Sequence, residues 1–308
     1  MRLSQCLPLF ALLALVVLSG CPPVLSPGVI RTSDLVYGKG NVARESEPGL
    51  YDLADLRYDL IEKEGTEENR PAVLMIHGGS FEGGSKADEN LVRQADALAL
   101  AGYVCFLIDY RLKGVEPPAP QDWEPDSISP VFAVLDLREA VHASFVDGKV
   151  AMRYIRANAQ ALRVDPNRIA VWGESAGAFV ALAVGLTGDE LFTSDGPGFV
   201  VPAENHPGIS SRPAAIVDCW GSAAPVLNAF DPSDPPVMVF HGAQDFTVGL
   251  ALGPAVEIRE ACEANGIPVA YYPISGEGHG AWAGEYEGKN LATLTVEFLG
   301  EHVKKDEG

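Results

Sequence analysis

The residues best placed to do chemistry are a serine between two glycines, Gly173-Glu174-Ser175-Ala176-Gly177. An apolar run, 169–172, leads into it, and a second, 176–186, follows it. A strand that turns sharply into a helix at G-x-S-x-G lifts the serine hydroxyl clear of a sheet. The glycines give the backbone room for a strained turn. The following helix aims its N-terminus at the hydroxyl, and the Ala176 N–H in particular can stabilise an oxyanion there. A hydroxyl so presented becomes a nucleophile when a base takes its proton and an acid orients that base.

Two histidines lie downstream of suitable acids. His279 sits in the flexible stretch Gly276-Glu277-Gly278-His279-Gly280, after the strand-like run 269–272. His302 sits in a charged tail and reads as a solvated helix end. Asp245 follows the run 237–240 in His241-Gly242-Ala243-Gln244-Asp245, and Asp218 closes the run before it. Asp231 and Asp234 belong to a Pro-rich turn, where acids commonly cap backbone amides. Upstream of Ser175, Met75-Ile76-His77-Gly78-Gly79-Ser80-Phe81 ends an apolar strand in a glycine turn.

The pair His-Gly-Gly-x-Phe and Gly-Glu-Ser-Ala-Gly resembles the carboxylesterase and hormone-sensitive-lipase-like branches of the α/β-hydrolases, close to bacterial feruloyl and acetyl esterases. The likeness continues through Asp109-Tyr110-Arg111-Leu112 and Asp165-Pro166-Asn167-Arg168-Ile169, and covers most of residues 70–290. The resemblance implies the chain order Ser, acid, His. With that order, the likeness of Gly278-His279 to the family's catalytic loop and of His241-Gly242-Ala243-Gln244-Asp245 to its His-Gly-x-x-Asp element implies Ser175 as nucleophile, His279 as base and Asp245 as orienting acid, with Asp218 the second choice of acid. It also implies that Gly79 and Ser80 join Ala176 as oxyanion donors. Many relatives carry a third glycine where this chain has Ser80, but the backbone N–H survives the change. His77 and His241 fall at the wrong place in the order for a base and read as partners of loop backbone. His142 and His206 show no motif.

The implied reaction is two-step hydrolysis of carboxylic esters on small molecules or saccharides. Amide or peptide hydrolysis and a non-catalytic binding lipoprotein are the competing readings. The residues beside Ser175 favour ester hydrolysis, and no member of the constellation is missing. No metal-ligand spacing and no phosphate-binding glycine loop is present, so no cofactor is expected.

These residues need elements that position them. Runs at 73–76, 104–108, 169–172, 216–219, 237–240 and 269–272 are nearly continuously apolar, as strands covered on both faces must be. Helical patterns alternate with them at 89–101, 149–162, 176–186, 255–265 and 291–302. The alternation predicts an α/β fold with a doubly wound, mostly parallel central sheet. Residues 34–62 supply an antiparallel start, with 56–61 as one strand. The Pro- and Gly-rich stretches 115–130 and 188–212 are loop insertions over the site, at the carboxyl ends of strands. Trp123 and Phe132 fit either an entrance or the core. Phe81, Trp282 and Tyr286 lie close to the motifs.

The N-terminus is of another kind. Arg2 precedes an apolar run over 7–18, too short for a comfortable membrane span but suited to a signal-peptide core. Leu18-Ser19-Gly20-Cys21 resembles the bacterial lipobox, in which the cysteine carries the lipid. The expected layout is a signal peptide over 1–20, a tether from Cys21 over 21–33, a hydrolase domain over 34–303 and a polar tail over 304–308. It places the protein at the cell envelope, held to a membrane by lipid, or else secreted. The formal net charge of −20 disfavours nucleic acid as a partner. Cys105, Cys219 and Cys262 show no framework spacing, and a Cys219–Cys262 disulfide is left open.

Overall fold

A computed structural model describes residues 23–65, 67–125 and 136–303. The residues expected to form a signal peptide and lipobox, Cys21 among them, lie outside these, as do Phe132 and residues 304–308. No described helix is long and apolar enough to cross a membrane.

Eight strands form one sheet: β1 (Val29–Ala43), β2 (Tyr51–Lys63), β3 (Arg70–Ile76), β4 (Val104–Ile108), β5 (Val164–Glu174), β6 (Ile216–Cys219), β7 (Val237–Gly242) and β8 (Val269–Ile274). Their spatial order is β1-β2-β4-β3-β5-β6-β7-β8. β2 pairs antiparallel with both β1 and β4, and every later pairing is parallel. A small hairpin, β9 (Glu285–Tyr286) with β10 (Lys289–Asn290), lies apart. The helices are α1 (Glu89–Leu100), α2 (Arg138–Ala157), α3 (Ala176–Leu186), α4 (Gly253–Asn265) and α5 (Leu291–His302). α2, α3 and α4 bury their apolar residues on one sheet face, and α1 and α5 on the other. Cover on both faces explains why β3, β4 and β6 are buried at every position.

Three expectations need correction. The helix expected at 149–162 is α2, which starts at Arg138 and ends at Ala157. Asp147 and Gly148, ahead of the expected start, both serve packing inside the helix. Asp147 pairs with Arg111, and a Cβ on Gly148 would stand 2.6 Å from a Val180 methyl carbon. β1 begins at Val29, inside the stretch expected as a tether, pairs with β2 along its length, and Ser26 hydrogen-bonds through its N–H and Oγ to Asp96. Finally, Cys105, Cys219 and Cys262 are free and buried. Cys219 and Cys262 sit in the cores on opposite faces of the sheet, so no disulfide joins them.

A buried ion cluster ties one insertion to the sheet. Arg111, just after β4, meets Asp147 of α2 at 2.6 Å and Asp195 of the 188–212 stretch at 2.7 Å, and donates to the Asn41 carbonyl. All three charged side chains are buried. Removing the cation strands two carboxylates in a dry interior, so Arg111→Leu is expected to cost about 3–5 kcal/mol of stability. Urea unfolding of the variant beside the wild type measures it.

Candidate active site

β5 ends in Glu174, and α3 starts at Ala176 with no loop between them. Ser175 takes the whole reversal, at φ 51° and ψ −121°, a backbone that L-residues rarely adopt. The flanking glycines make the turn sterically feasible. A Cβ on Gly173 would lie 2.1 Å from the Gly177 carbonyl oxygen, and one on Gly177 would lie 2.1 Å from that of Ile76. α3 is buried at every position, so it can be apolar all round and cannot swing away. The Ser175 side chain does not cap this helix. It turns instead to His279.

Ser175 Oγ lies 2.8 Å from His279 Nε2, and His279 Nδ1 lies 2.8 Å from Asp245 Oδ2. Of the two downstream histidines, His279 is therefore the one brought to the serine. His302 lies tilted against Phe298 at the end of α5. Asp245 rather than Asp218 meets the imidazole. Asp231 and Asp234 bond Ser233, Arg212 and turn backbone, as their position predicted.

Two loops make this meeting possible. The Ala243 and Gln244 amides donate to the Ile274 and Glu277 carbonyls, clipping the loop after β7 to the loop after β8. Trp282 then packs edge-on to Trp220 at 4.7 Å and stacks on Trp172 at 6.1 Å, which fixes the far side of the His279 loop.

Asp245 is fully buried while His279 is part-exposed. Burial alone would raise the Asp245 carboxyl. The His241 and His279 rings and the Thr247 amide outweigh it and hold the carboxyl well below the ordinary range. The surroundings thus favour the carboxylate form of Asp245.

The glycine turn after β3 sits beside the nucleophile turn. Gly79, Ser80 and Phe81 follow one another at positive φ, 118°, 57° and 60°. Among the described residues, the Gly79, Ser80 and Ala176 amides donate to no other group of the chain. Three free N–H groups, two in this strained loop and one at a helix N-terminus, suit a developing negative charge.

Some residues of the site were not legible as such. Glu174, the variable position of the serine motif, accepts the Gly78 N–H on Oε1 and the Trp220 Nε1–H on Oε2. It bolts the nucleophile turn to the glycine turn, and burial pushes its carboxyl up. His77 does bond loop backbone, at the Gly78 carbonyl, and stacks on Tyr110 at 4.4 Å. His241 departs from that reading: its Nε2 lies 3.3 Å from Asp245 Oδ2. The i, i+4 spacing of His241 and Asp245 across a tight turn was the available signal. Phe81 is core, packed on Phe179 and Tyr110, and Tyr286 lies against Tyr272. Trp123 meets Phe192 of the other insertion. Clefts of ≈ 290 Å³ and ≈ 560 Å³ lie between the two insertions, and neither is lined by Ser175 or His279. Among the described residues no His, Cys, Asp and Glu cluster could hold a metal ion.

The BD-FAE family model matches residues 58–124 and 135–224, from β2 through the serine turn to the loop after β6. The chain belongs to the BD-FAE family. These are α/β-hydrolases with esterase members, and the mostly parallel eight-stranded sheet described above is that fold. Among curated relatives, the chain is 32% identical over 111 residues to fumonisin B1 esterase of Sphingopyxis macrogoltabida. The match covers 35% of this chain and 18% of that one, so it spans well under half of the relative. Among solved structures, Thermogutta terrifontis esterase 2 superposes with TM-score 0.61 at 22% identity, covering 91% of this chain and 94% of that one. A truncated carbohydrate esterase from gut microbiota gives TM-score 0.64 at 19% identity, covering 92% and 100%. At these identities the structures share the BD-FAE chain's fold.

Glu174→Ala leaves the Gly78 and Trp220 N–H groups without their acceptor in a buried place. It is expected to cost about 1–3 kcal/mol of stability. By loosening the two turns against each other it is expected to lower kcat about tenfold or more. Thermal melting and p-nitrophenyl acetate kinetics measure both, and Glu174→Gln, which keeps one acceptor, is expected to recover part of each loss.

Proposed function

We propose that the protein hydrolyses carboxylic esters through an acyl-enzyme on Ser175. One observation carries the reading: the unbroken line of 2.8 Å contacts from Ser175 Oγ through His279 to the buried carboxylate of Asp245. Ser175 Oγ attacks the ester carbonyl as His279 Nε2 takes its proton. The tetrahedral oxyanion draws on the Gly79, Ser80 and Ala176 amides, each worth ~3 kcal/mol when such a donor is lost. His279 gives its proton to the leaving alcohol. Water then attacks the acyl-enzyme with His279 again as base, and the acid departs. Asp245 keeps the proton of the resting imidazole on Nδ1, which leaves Nε2 free to accept, and stabilises the cation formed at each step.

The substrate class follows by likeness. The curated relative is named an esterase of fumonisin B1, and a structural neighbour is a carbohydrate esterase. Both support a small-molecule or saccharide-linked ester. The structural neighbour esterase 2 is described as phosphoramylated by tabun, which supports organophosphorus reagents as probes of Ser175.

The purified protein is expected to turn over p-nitrophenyl acetate or butyrate and to take a fluorophosphonate label, and Ser175→Ala is expected to lose both. Labelling with turnover of amides alone would replace the ester reading with an amide hydrolase. A folded protein with neither would leave a binding protein.

The sequence Leu18-Ser19-Gly20-Cys21 supports lipid attachment at Cys21 and residence at the cell envelope. Expressed in a bacterial host, the chain is expected in the membrane pellet and Cys21→Ser in the soluble fraction. Equal partition of the two would remove the anchor.

A further inference from the structure

The reaction above engages Asp245 and His279 but leaves two buried polar side chains beside them without a role. Asp218 lies in β6 and His241 in β7, parallel neighbours in the register Asp218↔Val239. Side chains alternate along a strand, so Asp218, Val239 and His241 share one face of the sheet, the face covered by α3 and α4. Both are 0% exposed. His241 Nε2 stands 3.3 Å from Asp245 Oδ2, the oxygen that also meets His279 Nδ1. Among the described residues no side chain hydrogen-bonds either Asp218 oxygen.

An unpaired carboxylate is costly in such a place. The surroundings of Asp218 offer little relief. β5 sets Gly173 opposite it, α3 brings Ala178 near it, and α4 contributes only the buried thiol of Cys262. From its own strand comes the Cys219 thiol, and from the following loop the Gly221 amide. Only His241 favours its charge from a side chain, while Asp245 opposes it. Burial accordingly pushes the carboxyl up to about 7, against the pull of His241.

We propose that His241 is a positioning residue for Asp245, and that Asp218 behind it modulates the basicity of His279 by gaining or losing a proton. This rests on the esterase reading above. With Asp218 protonated, Asp245 supplies the one negative charge behind the imidazole. When Asp218 ionises, a second negative charge enters a water-poor region and favours the imidazolium that forms as Ser175 attacks. His241, 3.3 Å from Asp245 Oδ2, keeps that oxygen aimed at His279 in either state.

The test compares kcat and KM of wild type, Asp218→Asn, His241→Ala and His241→Gln across pH. Asp218→Asn removes the ionisation but keeps the shape. The wild-type to Asp218→Asn ratio of kcat is expected to be at least ~three-fold larger near pH 8.5 than near pH 6. His241→Ala is expected to lower kcat about tenfold with KM little changed, and His241→Gln, which keeps a donor, to recover part of it. A parallel readout needs no turnover. The side-chain 13C carboxyl NMR signal of Asp218 is expected to titrate in the wild type between pH 6 and pH 8.5. A ratio constant with pH, or an Asp218 carboxyl signal that does not titrate over that range, overturns the role of Asp218. Wild-type kcat in His241→Ala overturns the role of His241. Loss of ester turnover in the wild type itself, with the NMR titration intact, would fault the esterase reading and leave the buried pair standing.

Discussion

The backbone of Ser175 is the constraint on which the rest depends. A non-glycine residue at φ 51° and ψ −121° carries a strain of order 1–3 kcal/mol, and it persists only where its surroundings hold it. Here the surroundings are a central strand and an entirely buried helix that meet at one residue. Gly177 lies so close to the carbonyl of Ile76 that β3 itself forms the floor of the turn. The Ser175 N–H donates to the Cys219 carbonyl, so β6 forms one wall. A parallel sheet covered on both faces is the framework able to resist that strain, and the hydroxyl owes its presentation to it.

Around that turn, acids of one chemical type are given different states by different surroundings. Asp245 has imidazoles and an amide about it and stays ionised. Asp218, opposite Val239 on the neighbouring strand, has only His241 and the Gly221 amide to favour its charge, and burial outweighs them. Glu174 is raised by burial but spends its two oxygens on two N–H groups, which makes it a bolt between loops. Asp147 and Asp195 are held by Arg111 some way from the serine, where they fix an insertion to the sheet. Charge in this interior is placed wherever a loop must be held in register with a strand.

Of the three side chains in the line Ser175–His279–Asp245, the imidazole has the least local support. It sits on a loop with glycines on both sides and depends on long-range contacts for its place. The amides after β7 hold the loop backbone, and Trp172, Trp220 and Trp282 hold its far side. Two of those indoles come from β5 and the loop after β6, so the strands that present the serine also locate its base. One packed unit thereby sets the separation of Ser175 and His279.

The sequence by itself determined the fold class and named the residues that meet, because both rest on local signals. Apolar runs at 104–108 and 216–219 coincide with β4 and β6, and the helix over 176–186 coincides with α3, since buried strands and a buried helix leave unbroken apolar stretches. Ser175 was legible from glycines whose need is local, and His279 from its glycine-flanked place after the last strand, while Asp245 and Asp218 both fitted the chain order of the acid. The extent of α2 was not, because Asp147 and Gly148 make sense only beside Arg111 and Val180, which are distant in sequence. Nor were the work of Glu174 and the contact of His241 with Asp245. Only the tertiary structure decided which acid faces His279, that Cys219 and Cys262 lie on opposite faces of the sheet, and that Asp218 is left without a side-chain partner. Each of these depends on strand register and on which face a side chain occupies, and long-range packing sets both.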